Sequence, residues 1–291
     1  MKIAFSAVVL LAFLNICLGK SKALSFESET TYELTVLVDI PAFKNSNSEE
    51  FSLWIPFPSE IEEQEVISYK ADSRLKWQIG TEDKFRNRML YTTGLTSGKI
   101  TPPLKISFVV KRRPQNTKIV KLAANDNIFL LPTSMIPLNH TIKHISQIAL
   151  GGESDKSKQI PKLYQYVVSI MSYDKSGTGW GHGDAIWACS SKRGNCTDFH
   201  SLLIAMARVN GIPAKFNIGV PINPKMRQSD IPGYHCWAQL YDEEQGWIPV
   251  DASESKKKET PASTTATCPV IASSLVKAGI SILLPNKMGR R

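Results

Sequence analysis

The chain has 291 residues, 42% hydrophobic and 21% charged, which is enough apolar material for a sizeable core and the wrong composition for a disordered chain. Its formal net charge of +9 would suit an acidic partner, but the basic residues are scattered, with short clusters at Lys111-Arg112-Arg113, Lys256-Lys257-Lys258 and Arg290-Arg291. No basic helix or aromatic-interleaved basic motif occurs, so no nucleic-acid partner is expected and the charge reads as a solvated surface.

Residues 1–19 read as a signal peptide. Lys2 supplies a positive start, Ile3 to Leu14 an apolar run, and Cys17-Leu18-Gly19 the small residues before a cut, expected after Gly19. That run is too short for a spanning helix, and no later segment is long enough either. The mature protein is therefore expected to be exported, periplasmic or extracellular, without an integral membrane segment.

Residues 20–125 read as a β-rich domain. Tyr32 to Ile40 alternates apolar and polar residues, Phe51 to Ile55 runs up to Pro56, and Leu104 to Val110 is a third strand. Asn45-Ser46-Asn47-Ser48 and Thr92-Thr93-Gly94 read as turns between them. Short strands at these intervals suggest an antiparallel sandwich with a scaffolding or substrate-docking role. A linker follows from about Pro114 to Leu138, interrupted by Pro132 and Pro137.

Residues 126–255 carry the chemistry. Pro161 to Met171 reads as a helix with proline at its start, and a glycine-rich loop runs from Gly177 to Gly183. The next helix is the best specified element. Asn195 is its N-cap, Cys196 its first residue and Asp198 a first-turn carboxylate. Leu202, Leu203, Met206 and Val209 form its buried stripe, and Asn210-Gly211-Ile212-Pro213 ends it. A thiol at a helix N-terminus lies in a positive field that favours the nucleophilic thiolate, and the first-turn amides can serve as oxyanion donors. Ala214 to Val220 reads as a strand, as do His235 to Tyr241 and Trp247 to Asp251, with Asp242 to Gly246 as the turn between the last two. A hairpin folded about Glu243 would set His235 directly opposite Asp251.

Without the signal segment the cysteines are Cys189, Cys196, Cys236 and Cys268. If Cys196 works as a free thiol, at most one disulfide joins the other three, and their pairing stays open. Their spacing, with no CxxC, does not suit a zinc site; neither a metal nor a cofactor is expected. His200, four residues after Cys196 on the same helical face, is a rival base. His182 could line the site. Trp180, Trp187 and Trp237 read as cleft walls or core, and Cys236 as core or a disulfide partner.

Residues 161 to 253 resemble the transglutaminase-like superfamily of papain-type thiol enzymes, in particular its exported bacterial branch. The resemblance rests on Gly194-Asn195-Cys196-Thr197-Asp198-Phe199, on the stretch from Ala205 to Ala214, on His235-Cys236-Trp237-Ala238 and on Gly246 to Asp251. It implies an α+β core with the thiol helix packed on an antiparallel sheet. It also implies Cys196 as nucleophile, His235 as general base and acid, and Asp251 as orienter. The chain departs from the pattern in having Ser190 and Ser191 where an oxyanion-donating glutamine often stands. It departs again in the atypical tail, residues 256–291, which reads as truncated or frameshifted. The activity implied is thiol-dependent acyl transfer on peptide or glutamine amide carbonyls, as a peptidase, amidase or protein cross-linker of the cell envelope. The alternative is a catalytically silent module that binds peptide or glycan.

Overall fold

The computed structural model describes residues 29–40, 49–96, 100–113, 122–222, 228–231, 233–257 and 275–278. The expected signal peptide, Cys268 and most of the tail lie outside the described residues.

Among the described residues the N-terminal part is made of β1 (Thr30–Ile40), β2 (Glu49–Pro56), β3 (Gln64–Lys70), β4 (Gln78–Thr81), β5 (Arg88–Thr96) and β6 (Ile100–Arg112). They make two antiparallel sheets, in the orders β1-β6-β3 and β2-β5-β4. In β1 the odd-numbered residues face solvent, while Leu34, Val36 and Val38 pack on a core of Leu90, Leu104, Ile106, Phe108 and Val110, which draws on both sheets. Thr92-Thr93-Gly94, expected as a turn, lies inside β5. Gly94 stands opposite Phe51, where a Cβ would come within 2.7 Å of the Phe51 ring, so its role is to admit an aromatic neighbour.

The second part begins within the expected linker, where Ala124–Leu130 is a 3₁₀ helix. There follow α1 (His140–Leu150), α2 (Lys156–Ile170), β7 (Ser172–Tyr173), α3 (Ala185–Ser191), β8 (Arg193–Gly194), α4 (Cys196–Val209), β9 (Ala214–Pro221), β10 (His235–Asp242), β11 (Gly246–Val250), α5 (Ala252–Lys257) and β12 (Leu275–Ala278). Helix α2 starts at Lys156 rather than Pro161, because the Asp155 side chain caps it by accepting from Ser157 N, and Pro161 falls inside. Strands β11-β10-β9-β12 form an antiparallel sheet, and β7 pairs in parallel with β8. Leu275–Ala278, from the tail, is the edge strand of that larger sheet, with Val276 opposite Val220.

Helix α4 is the centre of the second core. Every residue from Asp198 to Arg208 is buried, and the helix touches α1, α2, α3, α5, β9 and β10. The expected stripe is therefore only one side of a helix covered all round. Its last turn is anchored by the buried Arg208, which donates to the carbonyls of Leu131 and Ala214. The two parts meet where Val220 and Ile222 pack on the sandwich core and where the Phe85 and Phe129 rings lie 6.2 Å apart. This is an α+β architecture with the cysteine-bearing helix laid on an antiparallel sheet. Among the described residues no helix is long and apolar enough to cross a membrane.

Candidate active site

The start of α4 is built by its own first turn. The Asn195 side chain accepts from Thr197 N at 2.9 Å, and the Asp198 carboxylate reaches back to accept from Asn195 N at 2.9 Å, completing a capping box. Asp198 does more than favour the helix dipole. Fully buried, it also accepts from Gly181 N at 2.7 Å and Gly183 N at 3.2 Å, so one carboxylate clamps the glycine-rich loop to the helix start. Gly181 and Gly183 take φ of +83° and +71°, a region that favours glycine. The capping-box spacing was legible in the sequence. The capture of a loop 15 and 17 residues upstream was not.

Cys196, 4% exposed at the head of this helix, packs with Cys236 and Ile218. His235 opens β10, and its Nε2 donates to Asp251 Oδ2. The hairpin does not set these two directly opposite each other. Its last ladder pair is Ala238 with Val250, and its turn pairs Asp242 with Gly246, which moves each expected partner by two residues. The cause is the turn: Asp242 Oδ1 accepts from Glu244 N and Gln245 N, and Gly246 adopts φ +76°, giving a three-residue loop. Because a shift of two preserves the face, Asp251 remains a diagonal neighbour of His235. Just past the ladder it caps α5, its Oδ1 accepting from Glu254 N and Ser253 Oγ at 2.9 Å each, and so leaves Oδ2 for the imidazole.

The electrostatics follow from these contacts. Hydrogen bonding from the Cys236 thiol, together with His235 and the charge of His200, outweighs burial and pulls the Cys196 thiol down to about 4. Burial opposes charge on His235, but the hydrogen bonds to Asp251 and Cys196 and the attraction of both raise it to about 9. Burial also works against ionised Asp251, yet the His235 hydrogen bond and the two histidines hold it at about 2. At neutral pH the arrangement is a thiolate facing an imidazolium backed by a carboxylate.

The rival histidine has a different place. His200 is fully buried, and its Nε2 accepts from Ala252 N at 3.1 Å while lying 3.5 Å from Asp251 Oδ1. Its ring nitrogen faces the carboxylate side of the site, and burial lowers its pKa. His182 is exposed on the glycine-rich loop. Trp237 is buried, the Trp180 indole donates to Gly177 O, and Trp187 lies beneath Arg193 at 5.4 Å. Strand alternation sets Cys236 on the face of β10 away from His235. It nevertheless touches Cys196, because the helix start abuts the beginning of β10, where both faces of the strand are within reach. Cys189, Cys196 and Cys236 are all free thiols, so no disulfide joins Cys189 to Cys236. Among the described residues no three His, Cys, Asp or Glu side chains converge as metal ligands.

Comparison with known proteins agrees with the fold of this part of the chain. Residues 143–252 match the family model of the transglutaminase-like superfamily core. An uncharacterized protein of Haemophilus influenzae is 24% identical over 258 residues, covering 78% of this chain and 69% of its own. The crystal structure of a candidate cysteine protease from Cytophaga hutchinsonii superposes with a TM-score of 0.59 at 16% identity, covering 86% of this chain and 80% of that one. The periplasmic domain of TgpA from Pseudomonas aeruginosa gives a TM-score of 0.46 at 13% identity, covering 78% and 79%. From within α1 to the first residue of α5, the chain carries a domain that matches the transglutaminase-like superfamily core.

Proposed function

We propose that the protein catalyses thiol-dependent acyl transfer on peptide or glutamine amide carbonyls. The observation that carries this reading is the position of His235, held by Asp251 on one side and against Cys196 at a helix N-terminus on the other. The Cys196 thiolate attacks the carbonyl carbon, and the negative charge developing on oxygen faces the positive end of α4. His235, protonated before the attack, gives its proton to the leaving amine as the C–N bond breaks, leaving a thioester on Cys196. Water, or a primary amine, then attacks the thioester carbonyl. His235 takes up the proton and the Cys196 thiolate departs. Asp251 keeps the ring oriented through both halves. Water as acceptor makes the protein a peptidase or amidase, and a lysine amine makes it a cross-linker. The β-sandwich of residues 20–125 is proposed to act as scaffold or docking surface. Residues 1–19 are proposed to direct export, on the strength of Lys2 and the apolar run to Leu14.

The test is intact-mass spectrometry of the protein mixed with a panel of peptide and glutamine substrates, with and without a primary amine. An acyl adduct on Cys196 that decays to free acid in water, or to amide with amine, supports the reading and separates its two forms. A Cys196 that gains no adduct with any substrate, and alkylates with iodoacetamide no faster than free cysteine, overturns it.

A further inference from the structure

Cys236 takes no covalent part in the chemistry above, yet it packs against Cys196 from β10. Both side chains are buried, they form one cluster with Ile218, and Cys236 Sγ lies 3.5 Å from the hydroxyl of Thr197, the residue after the nucleophile. Both are free thiols. Cys189 is placed elsewhere: it sits on α3, half-buried against the main helical core and outside this cluster.

We propose that Cys196 and Cys236 form a thiol–disulfide exchange site whose co-substrate is a low-molecular-weight aliphatic disulfide, and that exchange closes a Cys196–Cys236 bond which reversibly blocks the nucleophile. The Cys196 thiolate attacks one sulfur of the incoming disulfide. That S–S bond breaks, one thiolate leaves, and Cys196 is held as a mixed disulfide. With the charge on Cys196 gone, the field that keeps the proton on Cys236 disappears. Cys236 loses that proton to the departing thiolate and attacks the Cys196 sulfur, expelling the second half of the reagent. In sum, one protein thiolate and one protein thiol are oxidised by two electrons, and the small disulfide is reduced to one thiol and one thiolate.

Two arguments favour Cys236 as the resolving partner over a stable mixed disulfide. The pair is already in side-chain contact, so closure needs only the approach of two sulfurs at the ends of short side chains. The site is also nearly closed to solvent, so a bulky adduct on Cys196 would crowd the cluster that an internal disulfide would relieve. In the reduced state the hydrogen bond from the Cys236 thiol helps hold Cys196 as a thiolate, the same species that begins the exchange.

The inference rests on the proposed function only in taking Cys196 as an activated thiol. Its test treats the reduced full chain with oxidised glutathione, quenches with acid and maps disulfides by non-reducing peptide mass spectrometry. The expected product is a linked pair of peptides carrying Cys196 and Cys236, with iodoacetamide labelling of Cys196 lost and then restored by dithiothreitol. In Cys236→Ser the expected product is a persistent glutathione adduct on Cys196. A persistent adduct in the unaltered protein, or a link from Cys196 to Cys189 or Cys268, overturns the proposal. Disulfide formation in a protein that turns over no amide would overturn the proposed function and leave the exchange site standing. Rapid amide turnover with no Cys196–Cys236 link would do the opposite.

Discussion

His235 and Asp251 share a hydrogen bond although strand pairing does not set them opposite one another. Asp251 stands one residue past the end of β11, capping α5 through one oxygen and holding the imidazole through the other. Removing the carboxylate therefore affects two structures at once. Asp251→Asn is expected to lower kcat by about 10⁴-fold, the loss seen when a triad carboxylate becomes an amide with its geometry kept. A circular-dichroism melt run alongside a peptide-cleavage assay separates that loss from unfolding, and the cap, whose acceptor oxygen asparagine retains, is expected to hold.

The pH dependence has a definite sign. Alkylation of Cys196 by iodoacetamide is expected to rise along an acid limb centred near pH 4 and to be level at neutral pH, where a thiol at the ordinary 9.0 would still be climbing. Amide turnover needs the His235 proton as well, so it is expected to fall as pH passes about 9, giving a bell-shaped kcat/KM. In Cys196→Ser the thiolate is gone, and the His235 midpoint, followed by ring NMR signals, is expected to drop below 9.

Stability follows the same groups. The raised His235 value stabilises the fold below its ordinary 6.5, an effect lost as pH rises through 9. The depressed Cys196 value acts oppositely, present above 9.0 and lost as pH falls through 4. The two slopes oppose each other between pH 6.5 and 9, so Tm is expected to vary little there and to fall between 6.5 and 4, where the Cys196 slope acts alone. Asp251 contributes above 3.8, and that contribution disappears as pH falls through 2. Tm measured from neutral to strongly acid pH is expected to show this acid step, and Asp251→Asn to lack it.

His200 is expected to behave as a positioning residue. In His200→Ala the buried Ala252 N–H loses its acceptor, at a cost of about 1–3 kcal/mol, and the Asp251–Ala252 peptide loosens. Tm and kcat are both expected to fall, while the alkylation rate of Cys196 stays within a few-fold of the parent and keeps its acid limb. An alkylation rate that collapsed to that of free cysteine would make His200 the residue that activates the thiol.

The Asp198 clamp is expected to be the more sensitive structural element. Asp198→Ala leaves the buried amides of Gly183 and Asn195 and the part-buried amide of Gly181 without their acceptor, a loss of about 2–3 kcal/mol if each buried amide costs about 1 kcal/mol. Gly194→Ala would force a Cβ to within 2.3 Å of Asp198 Oδ2 at a φ of +148°, and is expected to lower stability by a similar order, about 1–3 kcal/mol for the backbone alone. Urea unfolding of both variants checks this, with Asp198→Asn as the conservative control.

What could be read along the chain was whatever depends on near neighbours. Asn195, Cys196 and Asp198 declare a capped helix start because capping acts over three residues, and β1 declares itself by alternation because one face is solvated. Strands β3, β4 and β5 were not legible: β4 is exposed throughout, and β5 contains a glycine whose reason for being there is Phe51 on another strand. The family motifs named Cys196, His235 and Asp251 and their order, but the hairpin register is shifted because the turn, with Gly246 at positive φ, centres on Glu244 and not on Glu243. Three things were decided only by the tertiary structure: the grip of Asp198 on the glycine-rich loop, the withdrawal of His200 behind Asp251, and the contact of Cys236 with Cys196. Each joins residues far apart in sequence, and only packing α4 against β10 and the loop brings such groups within hydrogen-bond range.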